Sequence, residues 1–185
     1  GIDSSYITAV NSRGTCASIS DAGGNMLFYA SSPEPNVFLS PNLFMGVIFN
    51  RNHQVMQNGL YITGSAWYNE MVILPDPGNG NEFYVFTAGI TSSINPGLRY
   101  TKVDVSQNGG LGTVTQKNVM LDPMQINDGI IAVKHGNGRD WWLIYKHGFP
   151  QNDSMCRVLV SPNGVSLQPV QQIGTFMESS AYRMS

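Results

Sequence analysis

The sequence predicts an all-β fold, a β-propeller of four-stranded antiparallel blades, and three observations predict it. Short β-branched and aromatic runs alternate with Gly/Asn/Pro clusters along the whole chain. No window of about 12 residues carries a clean helical period of apolar side chains. An aromatic strand, preceded each time by a shorter strand and a Gly/Asn turn, recurs three times at near-constant spacing.

The elements follow in order. The first unit runs Thr15–Ser20, then a turn over Asp21–Asn25, then Met26–Ala30. The second runs Met71–Leu74, a turn over Pro75–Glu82, and Phe83–Ala88. The third runs Ile130–Lys134, a turn over His135–Asp140, and Trp141–Tyr145. Gly and Asn supply the positive φ such turns need. The aromatic strands start at 26, 83 and 141, at intervals of 57 and 58 residues. Two further strands complete each unit: Val47–Asn50 and Gln54–Met56; Leu98–Val105 and Thr113–Met120; Met155–Val160 and Gln168–Ile173. A repeated four-stranded unit is the mark of a propeller blade. The expected blades span about 12–60, 66–122 and 129–174, and a fourth opens at about 175–185. A ring typically needs ~4–8 blades. The chain opens on Gly1-Ile2-Asp3, with neither an initiator Met nor a signal peptide. The expectation is therefore a partial propeller, completed by missing chain or by another subunit.

Composition narrows the function classes. The chain has 185 residues, 42% hydrophobic, enough for a core. Only 12% are charged and the net charge is -2, which excludes a strongly basic nucleic-acid footprint. No apolar run reaches the ~18 residues of a membrane span. Cys16 and Cys156 form no disulfide framework or zinc motif, and both read as small buried thiols.

Alternation of strands puts the first-to-second and third-to-fourth turns of each blade at one end, and the longer loops at the other. Long loops on a rigid scaffold are where binding usually sits. Ser31–Gly46 carries Phe38, Leu39, Leu43, Phe44 and Met45, and Gln57–Asn69 carries Tyr61, Trp67 and Tyr68. Phe38, Leu39, Phe44, Tyr61, Trp67 and Tyr68 are the candidate contact residues, an apolar, aromatic patch.

Several motifs together carry a family resemblance. They are Cys16–Asp21 with Gly24–Tyr29, Asn50–Met56, Leu74–Gly78 with Phe83–Phe86, Gly97–Tyr100, Asn108–Gly112 with Lys117–Val119, and Ala132–His135 with Gly138 and Trp142. In this order they resemble the N-terminal WD40-like propeller of large secreted surface proteins of Bacteroidetes. In that family the propeller precedes immunoglobulin-like modules and a gliding-motility sorting domain. The resemblance implies type IX secretion and an extracellular or cell-surface location, and it carries over no catalytic residue. Two stretches depart from the family: the insertion Ser31–Val47, and Ala66–Glu70 before the second blade. Both fall on the loop face and imply a different ligand.

Chemistry has little to build on. Glycosidases need paired carboxylates across a cleft. Asp21, Asp76 and Asp140 read as turn residues, and Glu34, Glu70 and Asp128 are the remaining acids near the loop face. His53, His135 and His147 lack close spacing on one element, so no metal site is expected. A calcium ion is conceivable at Asp76–Asn81, where hard oxygen donors gather; otherwise no cofactor is expected. Ser106–Gly110 and Ser161–Gly164 read as structural turns similar to degenerate Asp boxes. Trp141 and Trp142 alternate faces and read as core. The expected function is non-enzymatic binding or scaffolding by a secreted or surface module, through a protein partner in an adhesive assembly. The alternatives are a surface glycan as ligand, or a propeller glycosidase or lyase.

Overall fold

Turn chemistry decides where this chain reverses. Six hairpin turns open on a residue whose side chain accepts the backbone N–H two positions on. They are Asp21 to Gly23 (2.9 Å), Asn50 to Asn52 (2.9 Å), Asp76 to Gly78 (2.8 Å), Asp104 to Ser106 (2.9 Å), His135 to Asn137 (3.1 Å) and Ser161 to Asn163 (3.3 Å). A short polar side chain that satisfies its own turn removes the cost of an unpaired amide. Gly24 and Gly138 then take positive φ, at 82° and 74°, in open space.

Between these turns lie the strands of a computed structural model that describes residues 15–31, 45–64, 69–89, 96–127, 129–148 and 153–173. They are β1 (Cys16–Ser20), β2 (Met26–Ser31), β3 (Met45–Asn50), β4 (Val55–Thr63), β5 (Met71–Asp76), β6 (Asn79–Gly89), β7 (Gly97–Asp104), β8 (Thr113–Asp122), β9 (Ile131–Lys134), β10 (Trp141–Lys146), β11 (Ser154–Ser161), β12 (Gly164–Leu167) and β13 (Gln171–Gln172). The helical turn α1 (Gln107–Gly110) joins β7 to β8. The described chain is thus nearly all β.

Strands β1 to β4 pair antiparallel in chain order, and so do β5 to β8. One parallel bridge, Gln57↔Thr113, joins β4 to β8, and β1 touches β5. These eight strands make a nearly closed, barrel-like sheet. Strands β9 to β12 form a separate antiparallel meander, with β13 pairing β11.

The β4–β8 seam rests on one side chain. Asn118 Oδ1 accepts Thr63 N at 2.9 Å, and Asn118 Nδ2 donates to Tyr61 O at 2.9 Å. The amide thus mimics a strand residue where the two backbones pair only once.

Packing follows the pleat. Alternate residues of the second meander enter two different cores. Ile73, Phe83, Val85, Val103 and Val114 pack with Phe28, Ile48, Met56 and Ile62 of the first meander. Leu74, Tyr84, Phe86, Ala88 and Leu98 pack with Leu143, Tyr145, Cys156, Val158 and Val160 of the third. The second meander is therefore the middle layer of three.

The registers repeat. Phe28 pairs with Ile19 and Asn50; Phe86 with Val72 and Tyr100; Ile144 with Ile131 and Arg157. Phe28 faces the second meander and Phe86 the third, and Ile144 occupies the matching place. The structural repeat is thus 58 residues at both steps. The interval of 57 read from strand starts slips by one, and a one-residue slip would turn every side chain to the opposite face. In the third meander this face is open: Ile131 is 49% and Val133 40% exposed.

The structure corrects several boundaries. Strand β4 continues to Thr63, so Tyr61 lies in a strand rather than in a loop. Left-handed Asn58 and Tyr61 (φ 62° and 66°) gave that stretch the look of a loop. The turn between β5 and β6 shrinks to Pro77-Gly78, because Asp76 already pairs with Asn79. The strand after β11 is Gly164–Leu167, closed by the two-residue turn Pro162-Asn163, while Gln168–Ile173 yields only β13. Cys16 is exposed, since it sits on the edge strand β1; Cys156 is buried as expected. Trp141 and Trp142 do alternate: Trp141 packs on the core between the second and third meanders, and Trp142 faces the open side beside His135 and Arg157.

Two truncations in matching registers separate the buried face from the open one. Phe86→Ala should cost about 3–5 kcal/mol of stability, and Ile131→Ala no more than about 1 kcal/mol. Urea denaturation of the two variants checks this.

Candidate functional site

Two places draw attention, and the sequence marked one of them. Of the expected contact residues, Tyr61 is described; Phe38, Leu39, Phe44, Trp67 and Tyr68 lie outside the described residues, as do Leu43, Glu34 and Asp128. Tyr61 is 58% exposed, beside exposed Leu60. Its φ of 66° is unusual for a bulky side chain, and such strain persists only where surrounding structure over-determines it. Here the bond from Asn118 to Tyr61 O and that from Thr63 to Asn118 fix the backbone on both sides. The ring is held outward at the β4 end that pairs with the start of β3.

The acids near that end are occupied. Glu70 is fully buried and accepts a hydrogen bond from Thr15 Oγ1. At the opposite end, Lys102 Nζ bridges Asp76 Oδ2 (3.1 Å) and Glu82 Oε2 (2.6 Å), and the Tyr84 hydroxyl donates to Asp76 at 3.0 Å. Burial opposes the Lys102 charge, yet bonds to Glu82 and Asp76 raise its pKa. Burial and the Asp76 charge push Tyr84 up to about 12. Asp21 and Asp76 act in their turns as expected, and Asp140 closes its turn through Asn137 and Arg139.

The second place went unmarked. Asp122 ends β8, His147 follows β10, and Cys156 lies in β11. All three are buried, and their donor atoms lie within 4.8 Å of one another. Asp122 Oδ2 accepts the Tyr145 hydroxyl at 2.6 Å and His147 Nε2 at 2.7 Å; Oδ1 accepts Met124 N at 2.9 Å. The cluster joins the second meander to the third. Burial pushes the Asp122 carboxyl up, but bonds from His147, Tyr145 and Met124 outweigh it and hold it below the usual range. The Asp122 carboxylate, followed by Cys156, raises the His147 imidazole to about 9 against the effect of burial. Burial, then Asp122, pushes the Tyr145 phenol up. At neutral pH this is a buried imidazolium–carboxylate pair with a thiol at its side. Its atoms can also act as metal ligands: one sulfur, one nitrogen and one oxygen.

Sequence spacing hid this cluster, because its members come from three strands, up to 34 residues apart (122 to 156). The usable signal was a polar His directly after an aromatic strand, in a chain that carries few charges. The other histidines do local work. His53 Nδ1 lies 3.2 Å from the Tyr29 hydroxyl, and His135 accepts in its turn.

Comparison with family models, curated proteins and solved structures found no match. Among the described residues no helix is long and apolar enough to cross a membrane.

Two predictions arise. Tyr61→Gly should be more stable than Tyr61→Ala by about 1 kcal/mol, because only Gly relieves the left-handed backbone; thermal denaturation of both checks it. The His147 pKa rises on folding from its ordinary 6.5 to about 9. Its stabilising contribution is therefore complete below pH 6.5 and lost as pH rises through 9. With chelator present, His147→Gln should cost on the order of 1–3 kcal/mol at pH 6, and the gap from the parent should narrow by pH 10. Urea titrations across that range read it.

Proposed function

We propose that this chain is part of a β-propeller that serves as a non-enzymatic binding or scaffolding module of an exported surface protein, with a protein as its partner. The observation that carries this reading is the 58-residue structural repeat, in which matching registers form one face of each meander. The middle meander buries both faces against its neighbours. A third meander of the same build, with Ile131 and Val133 exposed, suits another four-stranded sheet stacked in the same way, from this polypeptide or another. The export and surface location rest on the family resemblance of the motifs.

Protein is favoured over glycan by the chemistry around Tyr61. Sugar platforms pair an aromatic face with free polar groups. Both ends of the Asn118 amide are engaged by the β4 backbone, and Asn58 Nδ2 lies 3.4 Å from Val114 O. What stays exposed is apolar: Leu60, Tyr61 and Met120. Binding rather than hydrolysis is favoured because Glu70 is buried, and Asp76 and Glu82 are both neutralised by Lys102.

The test places a photo-crosslinking residue at position 61 in the native cells, and screens the purified protein against oligosaccharides in parallel. The reading expects one defined protein adduct at 61, none from the same residue placed at Lys117, and no sugar bound or cleaved. Turnover of a glycan, or sugar binding abolished by Tyr61→Ala, would replace it with one of the two carbohydrate readings.

A further inference from the structure

The buried cluster at Asp122, His147 and Cys156 offers more than a hydrogen-bonded link. We propose that it is a zinc site that fastens the second meander to the third. The three side chains leave three strands and converge, with donor atoms all within 4.8 Å. A thiol, an imidazole and a carboxylate are the donor set of a borderline-soft divalent ion. Calcium and magnesium want six or more oxygens and find one carboxylate here. Burial of all three side chains fits a structural site rather than one that exchanges substrate.

The outer partners of such a site are already in place. Ligating carboxylates are normally held by further hydrogen bonds. Asp122 takes Tyr145 on Oδ2 and Met124 N on Oδ1. Cys156 is the register partner of Tyr145, so sulfur and phenol sit on adjacent strands of one sheet. This fixes where the sulfur stands relative to the carboxylate.

Binding has a stated cost in bonds and protons. The His147 Nε2–Asp122 Oδ2 hydrogen bond of 2.7 Å must open, since two ligands of one tetrahedral zinc stand roughly 3.3 Å apart at ligand distances near 2.0 Å. The ion enters as His147 and Cys156 give up one proton each, so two protons leave for each zinc bound. Strand β8 and the two strands β10 and β11 are then bridged by coordination.

The experiment uses the full chain, stripped with chelator and titrated with Zn2+ against a chromophoric competitor, and in parallel with Co2+. The expected result is one equivalent of Zn2+ per chain and a raised Tm. Co2+ should give a thiolate charge-transfer band in the near ultraviolet, as sulfur ligation requires. Cys156→Ser and His147→Gln should weaken Zn2+ at least tenfold, and Cys156→Ser should lose the band. Cys16→Ser should keep both, because that thiol lies on the exposed edge strand. The cobalt spectrum of the unmutated chain guards against variants that fail to fold. Failure to retain Zn2+, a cobalt spectrum without a thiolate band, or Zn2+ affinity unchanged in Cys156→Ser would overturn the proposal. The outcome is independent of what binds at Tyr61.

Discussion

The rest of the structure depends on the pleat of the second meander. Its strands carry apolar side chains on both faces, so neither face can be left in water. Val85 and Phe86 are neighbours in sequence, both fully buried, and they point into different cores. Burying a large apolar side chain is worth about 1.5–3 kcal/mol, and the middle sheet multiplies this on two sides. The first and third meanders are held because they cover it. The turns then need only to close: each opens on a side chain that satisfies the amide two residues on.

Where covering stops, function begins. The third meander presents Ile131, Val133 and Trp142 in registers that the second buries as Val72, Leu74 and Tyr84. The same pattern that builds the stack thus leaves a surface ready to extend it. Polar linkage is sparing, in keeping with a chain only 12% charged. Two clusters carry much of it: Lys102 with Asp76 and Glu82, and Asp122 with Tyr145 and His147. The first clamps three strands within one meander. The second ties two meanders together, and it is there that chemistry beyond packing can enter.

Much of the strand pattern was legible, and the reasons are local. Asp21-Ala-Gly-Gly-Asn25 and His135-Gly-Asn-Gly138 are turns because Gly and Asn are cheap at positive φ. Phe83-Tyr-Val-Phe86 reads as strand because aromatic and β-branched residues suit a pleated surface. What escaped depends on partners distant in sequence. Asn58-Gly59 and Tyr61 look like a loop until Asn118, about 57 residues on, supplies the bonds that keep β4 extended. Gln168–Ile173 has the composition of a strand, yet the tight turn at Pro162-Asn163 brings Gly164–Leu167 into register first. Among candidate site residues Tyr61 was found, though as a loop residue. The Asp122–His147–Cys156 cluster was not, because its members share no local pattern.

The central claim is that the open face of the third meander is the register equivalent of a buried face of the second. Hydroxyl-radical footprinting of the chain tests it most directly. The account predicts that Leu74, Tyr84 and Phe86 stay protected while Ile131, Val133 and Trp142 are modified several times faster. Equal protection of the two sets, or faster modification of Phe86 than of Ile131, would contradict it.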